Sequence, residues 1–267
     1  MSSIELDTAI LKRPLAEANK LITVWRKCGP DQPICPTLLI NELVNAREQP
    51  DRLTIEPNNL PDKVDGMMAP IQDNHWAAII NQKIKSSGRR RFTLAHEMFH
   101  FIAHRKIRDS FECGRADINS FGGESLEDDA NAFAAQLLIP SDVLRELDKS
   151  EFCYDVVKDN ADALDVSVTA LAYKWVIESR KRIGFIQSRD GFVDKGRAST
   201  PAYREGIFFK CGSELPAASL TQFVHSGGSP QKQVLAPNTW HNYLGCSECV
   251  HQTSFEGYTY TFLDFGS

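Results

Sequence analysis

Phe92-Thr-Leu-Ala-His-Glu-Met-Phe-His-Phe-Ile-Ala-His104 decides how the rest of the chain is read. Within it, His96-Glu97-Met98-Phe99-His100 spaces two imidazoles four residues apart, with a carboxylate beside the first. Residues four apart on an α-helix lie one above the other, so His96 and His100 can hold a single ion. Glu97 is turned about 100° from His96, toward a water beside the ion rather than the ion itself. That division of labour belongs to metal-assisted hydrolysis, with Zn2+ the expected ion and Mn2+ the alternative.

A catalytic zinc takes three protein ligands, so a third is sought downstream among Glu112, Asp117, Glu124, Glu127, Asp128 and Asp129. Residues 126 to 138 carry Leu126, Ala130, Phe133, Ala134, Leu137 and Leu138 at helical spacing. With Ala130 set at zero and about 100° per residue, Glu127 falls at roughly 60°, the one acid inside the apolar sector. Asn131 lands near roughly 100°, where its amide can hold the second nitrogen of a ligating histidine. His104 continues the four-residue series but stands roughly 12 Å of rise from His96. One ion at about 2.1 Å cannot bind both, and His104 reads as a solvent-facing or merely polar histidine at the helix end. The stabiliser of a developing oxyanion is left open, with Tyr154, Tyr173 and His104 candidates by residue type alone.

Outward from this helix, residues 6 to 27 read as a helix interrupted by Pro14, and residues 37 to 45 as a shorter one capped by Thr37. Residues 49 to 74 are rich in proline and read mostly as loop, with a short strand at 52 to 56. His75 to Asn81 reads as a strand leading into the signature helix, which is expected to start near Phe92 with Thr93 as cap. Residues 106 to 123 read as a surface excursion, Ser125 as the cap of the next helix, and Ser141 as the cap of another. Residues 155 to 179 have the texture of a helix-turn-helix, with the turn at Asp165-Val166. From Ile183 on, short apolar runs alternate with glycine and proline, a β-rich pattern. The expected fold is α+β: a zincin-like metallopeptidase core over 1–150, a helix-turn-helix-like unit over 151–182, and a β-rich C-terminal module over 183–267.

Composition narrows the class. The 267 residues are 42% hydrophobic with a net charge of -5, so no global field draws the chain to nucleic acid or an anionic membrane. No apolar stretch approaches the roughly 20 residues of a spanning helix, and the N-terminus lacks signal-peptide character; a cytoplasmic location is expected. Seven cysteines, an odd and scattered set, read as reduced thiols. Cys246-x-x-Cys249-x-His251 is one knuckle without the second pair of a closed zinc site, for which Cys211 or His241 are the remaining candidates. The residues following Ser167 offer Thr169, Tyr173 and a single Lys174, too little to read a groove, so direct DNA binding is not expected. Arg89-Arg-Arg91 and Arg180-Lys-Arg182 read as solvated surface, with contact to an acidic substrate segment the alternative.

The signature helix, followed by Glu127-Asp-Asp-Ala-Asn-Ala-Phe-Ala-Ala-Gln-Leu-Leu-Ile-Pro140, resembles the ImmA/IrrE family of zinc metallopeptidases, of the gluzincin-like M78 type. The likeness covers roughly residues 35 to 180 and marks the chain as a member of that class by its motifs. It implies His96, His100 and Glu127 as ligands and Glu97 as the base. Phe99 stands where the family commonly has glycine, which adds bulk near the site and bears on substrate access. The resemblance further implies limited cleavage of a regulatory protein, a helix-turn-helix repressor, to switch on phage, mobile-element or stress genes. The rival expectation is a non-catalytic regulator or antitoxin-like partner that acts by protein or DNA contact.

Overall fold

The computed structural model describes residues 13–30, 33–107, 110–114, 126–228, 232–253 and 257–266. The chain is mixed α+β and divides into two compact units, residues 1–140 with 164–166, and residues 141–163 with 167–267. No helix among the described residues is long and apolar enough to cross a membrane.

The first unit opens with α1 (Pro14–Cys28), where Pro14 begins the helix rather than interrupting it, its fixed φ suiting the first turn. The earlier part of the expected helix lies outside the described residues. Helix α2 (Pro36–Leu39) runs into a π-helical turn, Ile40–Val44; its cap position is Cys35, without a side-chain bond, rather than Thr37. A four-stranded sheet follows in the order β1-β3-β2-β4, made of β1 (Arg52–Asn58), β2 (Val64–Gln72), β3 (His75–Asn81) and β4 (Phe111–Gly114). β1 runs parallel to β3, and β2 is antiparallel to both β3 and β4.

Two of these strands fall where loop was expected. β2 contains Gly66 and Pro70, yet its pairing with β4 stops at Met68, and Pro70 sits beside the bulge at Pro70/Gln72, a place where proline is tolerated. The turn into β2 is held by Asn81, whose amide donates to the carbonyls of Leu60, Pro61 and Val64, the last at 2.7 Å. β4 replaces part of the expected surface excursion and forms the sheet edge.

Helix α3 (Ser87–Phe99) packs on β2 and β3 and against α4 (Leu126–Leu138), which also packs on α1. It starts a turn and a half earlier than expected, because Ser86, not Thr93, caps it through the amide of Arg89. The expected cap Ser125 lies outside the described residues. Fully buried Ala95, Ala130 and Ala134 keep the helices close, and Met98, Phe99, Phe133 and Leu137 fill the space around them. The basic run on α3 is structural, not merely solvated. Arg89 pairs with buried Asp65 on β2, and Arg91 donates to the Ile34 carbonyl at 2.6 Å and to that of Leu164 at 2.9 Å.

In the second unit α5 (Ser141–Leu147), α6 (Tyr154–Leu164) and α7 (Val168–Glu178) precede a five-stranded antiparallel sheet. The turn between α6 and α7 carries Asp165 at φ 50°, a left-handed position aspartate tolerates. The sheet order is β6-β5-β9-β8-β7, from β5 (Ile183–Arg189), β6 (Phe192–Ala198), β7 (Lys232–Leu235), β8 (Cys246–Gln252) and β9 (Thr259–Asp264). Short helices α8 (Thr200–Arg204) and α9 (Leu220–His225) lie between strands. Ile186, Val193, Ile207, Leu263 and Phe265 form its core. Buried Glu248 accepts the amide hydrogens of Leu220 and Thr221, answering the open end of α9.

Candidate metal centre

The buried face of α3, the π-helical turn that continues it and the first two turns of α4 meet at four side chains. His96 Nε2 lies 3.0 Å from His100 Nε2 and 3.1 Å from Glu127 Oε2, and His100 Nε2 lies 3.4 Å from the same oxygen. His96 Nδ1 is 3.0 Å from Asn131 Oδ1; the amide oxygen can only accept, so Nδ1 carries the hydrogen and Nε2 presents a lone pair. His96 Nε2, His100 Nε2 and a carboxylate oxygen face one another at these distances, an arrangement that needs a shared proton or a cation. Nitrogen and oxygen ligands about 2.1 Å from a tetrahedral ion stand about 3.4 Å apart. The donor set and its spacing fit zinc.

His104 differs from expectation. It is fully buried rather than solvent-facing, and its Nδ1 lies 2.9 Å from His100 Nδ1. The helix changes character here: α3 passes at His100 into a π-helical turn, His100–His104, a feature that often marks functional helices. The side chain of Phe99 is wholly buried and stacks on Phe133 with ring centroids 4.8 Å apart, so its bulk fills the α3/α4 core beside His104.

Glu97 is fully buried, and neither carboxylate oxygen has a hydrogen-bond partner among the described residues. Burial pushes its pKa from 4.5 up to about 7, an effect offset in part by the nearby His96 and Cys113 side chains. For Glu127 burial works against the charge, yet hydrogen bonds with His100 and His96 prevail and hold its carboxyl well below its ordinary value. Burial, with the neighbouring His100, lowers His104 to about 3 and keeps it neutral.

One residue at this centre was missed by sequence reasoning. Cys113 Sγ on β4 lies 3.5 Å from Glu127 Oε2 and 3.7 Å from His100 Nε2. Ligand atoms of His96, His100, Cys113 and Glu127 all fall within 4.8 Å of one another. The signal was faint: Phe111 and Cys113 point inward while Glu112 is exposed, a period-2 alternation too short to stand out among polar neighbours.

Other candidates lie in the second unit with partners of their own. Tyr154 stacks on His251 at 3.5 Å, and Tyr173 donates to Gln187 Oε1 at 3.0 Å. Lys174 pairs with Glu178 at 3.1 Å. Cys246 and Cys249 are three apart on β8 and therefore point to opposite faces, Cys246 into the sheet core. They do not meet as a knuckle, and neither Cys211 nor His241 joins them in a metal-sized group among the described residues; Cys246 and Cys249 are free thiols, as expected.

Residues 63–176 match the family model Peptidase_M78, described as the IrrE N-terminal-like domain. The matched span holds β2, β3, α3, β4 and α4, and so every residue of the centre. No curated protein matches the chain. Among solved structures, a Mycobacterium tuberculosis transcriptional regulator is similar in fold, with a TM-score of 0.54 at 13% identity over 95% of this chain and 81% of that one. With its two histidines, its glutamates and the helices that bring them together, the stretch 63–176 is an IrrE N-terminal-like domain, Peptidase_M78.

Proposed function

We propose that the protein is a zinc-dependent endopeptidase that makes limited cuts in a regulatory protein, a helix-turn-helix transcriptional repressor, and so switches on phage, mobile-element or stress genes. One observation carries the chemistry: His96, His100 and Glu127 present ligand atoms 3.0 to 3.4 Å apart beside a buried carboxylate, Glu97, that has no partner among the described residues. In this reading His96, His100 and Glu127 hold the zinc, and Asn131 fixes the tautomer and ring orientation of His96. Bound there, zinc supplies a Lewis acid that activates water and polarises the scissile carbonyl. Glu97 takes a proton on its carboxylate and gives it to the departing amine; burial raises its pKa in the metal-free chain. Residues 1–150 carry this chemistry, 151–182 form a helix-turn-helix-like docking unit, and 183–267 a β-rich module with a sensory role. The repressor as substrate comes from the likeness of the two motif helices to the family.

The test is to mix the full chain and zinc with the purified product of a neighbouring repressor gene. Discrete fragments on a gel, prevented by EDTA, are the expected result. Glu97→Gln separates the enzyme from a regulator that acts by contact alone. It should keep zinc and partner and lose cleavage; a biological output that survives this substitution intact overturns the enzymatic reading.

A further inference from the structure

We propose that Cys113 is a fourth protein ligand, which closes the metal centre and holds the enzyme latent until the thiolate leaves. The inference rests on the reading of His96, His100 and Glu127 as ligands and adds a control to that site.

The strand β4 aims two inward residues at the histidine pair. Phe111 stacks on His100 with ring centroids 4.2 Å apart, and Cys113, fully buried, meets His100 and Glu127. Its register is fixed opposite Gly66 on β2, and that glycine lies against Glu97. For a sulfur about 2.3 Å and a nitrogen or oxygen about 2.1 Å from one tetrahedral ion, the two ligand atoms stand about 3.6 Å apart. The observed separations, 3.7 Å to His100 Nε2 and 3.5 Å to Glu127 Oε2, fall on either side of that value. An ordinary core cysteine sits among apolar groups; this one faces an imidazole and a carboxylate.

Charge supports the same assignment. A dication, one carboxylate and one thiolate, with two neutral imidazoles, make a centre of zero net charge, the state that burial favours. Zinc sites with four protein ligands are closed, and catalytic ones keep a position open. Metal binding releases the thiol proton. Opening reverses this: the sulfur takes one proton, leaves as a thiol, and vacates its position to water or substrate. Among the described residues β4 is the edge of its sheet, paired on one side only, so the strand that carries the thiol is the one a partner can reach and shift.

Cobalt in place of zinc reads the ligands directly. The full wild-type chain should bind one Co2+ and show thiolate-to-cobalt charge-transfer absorption in the near ultraviolet. Cys113→Ser and Cys113→Ala, checked for folding by circular dichroism, should still bind Co2+ and lose that band, with metal affinity down by about tenfold or more in chelator competition. Acetohydroxamate, a small chelating probe of an open position, should shift the visible bands of the variants at far lower concentration than those of the wild type. One bound Co2+ with no thiolate band in the wild type, or a band that both variants keep, overturns the closure and leaves the metal centre standing. Equal hydroxamate binding by wild type and variants overturns the latency. If the wild type binds no Co2+, the metal reading fails and this inference with it.

Discussion

His100 and His104 face each other through their Nδ1 atoms at 2.9 Å, both side chains wholly buried. The π-helical turn that holds them ends at Arg105, whose guanidinium donates to the carbonyls of Phe101 and Ile102 and pairs with Asp51. With His104 held neutral by burial, its Nδ1 can accept the Nδ1 hydrogen of His100, leaving His100 Nε2 bare for the metal. His104→Ala should therefore weaken zinc binding by about 10- to 100-fold in chelator competition. His104→Asn, which keeps an acceptor, should recover part of the loss. An alanine variant that binds zinc as the wild type does would show that His100 needs no such support.

The meeting of His96, His100, Glu127 and Asn131 was legible because each pair lies on a single helix, where phase alone fixes which side chains share a face. His104 was misread for the same reason. The distance from His96 spoke against a shared ion, but phase does not report burial, and a π-helical turn beneath Phe111 covers this histidine. β2 was hidden by Gly66 and Pro70, residues that disfavour strands locally and are accommodated here by an ended ladder and a bulge. Cys113 was the least legible, since strand pairing sets its place and no periodicity over four residues can reveal that. The tally of basic side chains on α3 likewise said nothing of their partners, which come from residues distant in sequence.

Gly66 makes the close approach of sheet and helix at the site. A β-carbon there would stand 2.5 Å from Thr93 Cγ2 and 2.7 Å from Glu97 Oε1, both on the fully buried face of α3. Gly66→Ala should destabilise the fold by about 1–3 kcal/mol, read from the denaturant midpoint. It should also displace the Glu97 carboxylate, lowering cleavage well beyond what the loss of folded protein explains. Full activity in a folded Gly66→Ala protein would place the working position of Glu97 elsewhere.

Asp65 is the charged anchor between β2 and α3. Its side chain is 3% exposed and pairs with Arg89, which is 30% exposed. Because the arginine can reach solvent when its partner is lost, the cost of Asp65→Asn should lie below that of breaking a fully buried pair, about 1–3 kcal/mol. Thermal unfolding of the metal-free protein should show this loss with little dependence on salt, since a buried carboxylate is poorly screened. A loss that disappears at high salt would mean the pair acts as an exposed one.

Glu97 should make the metal-free protein less stable as pH rises. Its pKa is 4.5 by reference and about 7 in the folded chain, so between these values the folded state keeps a proton that the unfolded state has released. Stability from this group is thus fully present below about pH 4.5 and lost as pH rises through about 7. Glutamine at the same position does not titrate and removes the effect, while all other groups cancel in the comparison. In EDTA, Glu97→Gln should match the wild type near pH 4.5 and exceed it by roughly 3 kcal/mol at pH 8, measured by denaturant unfolding. Zinc should shrink the gap, because a nearby cation favours the carboxylate. A difference that is constant with pH would mean that Glu97 titrates near its ordinary value in the metal-free fold, despite its burial.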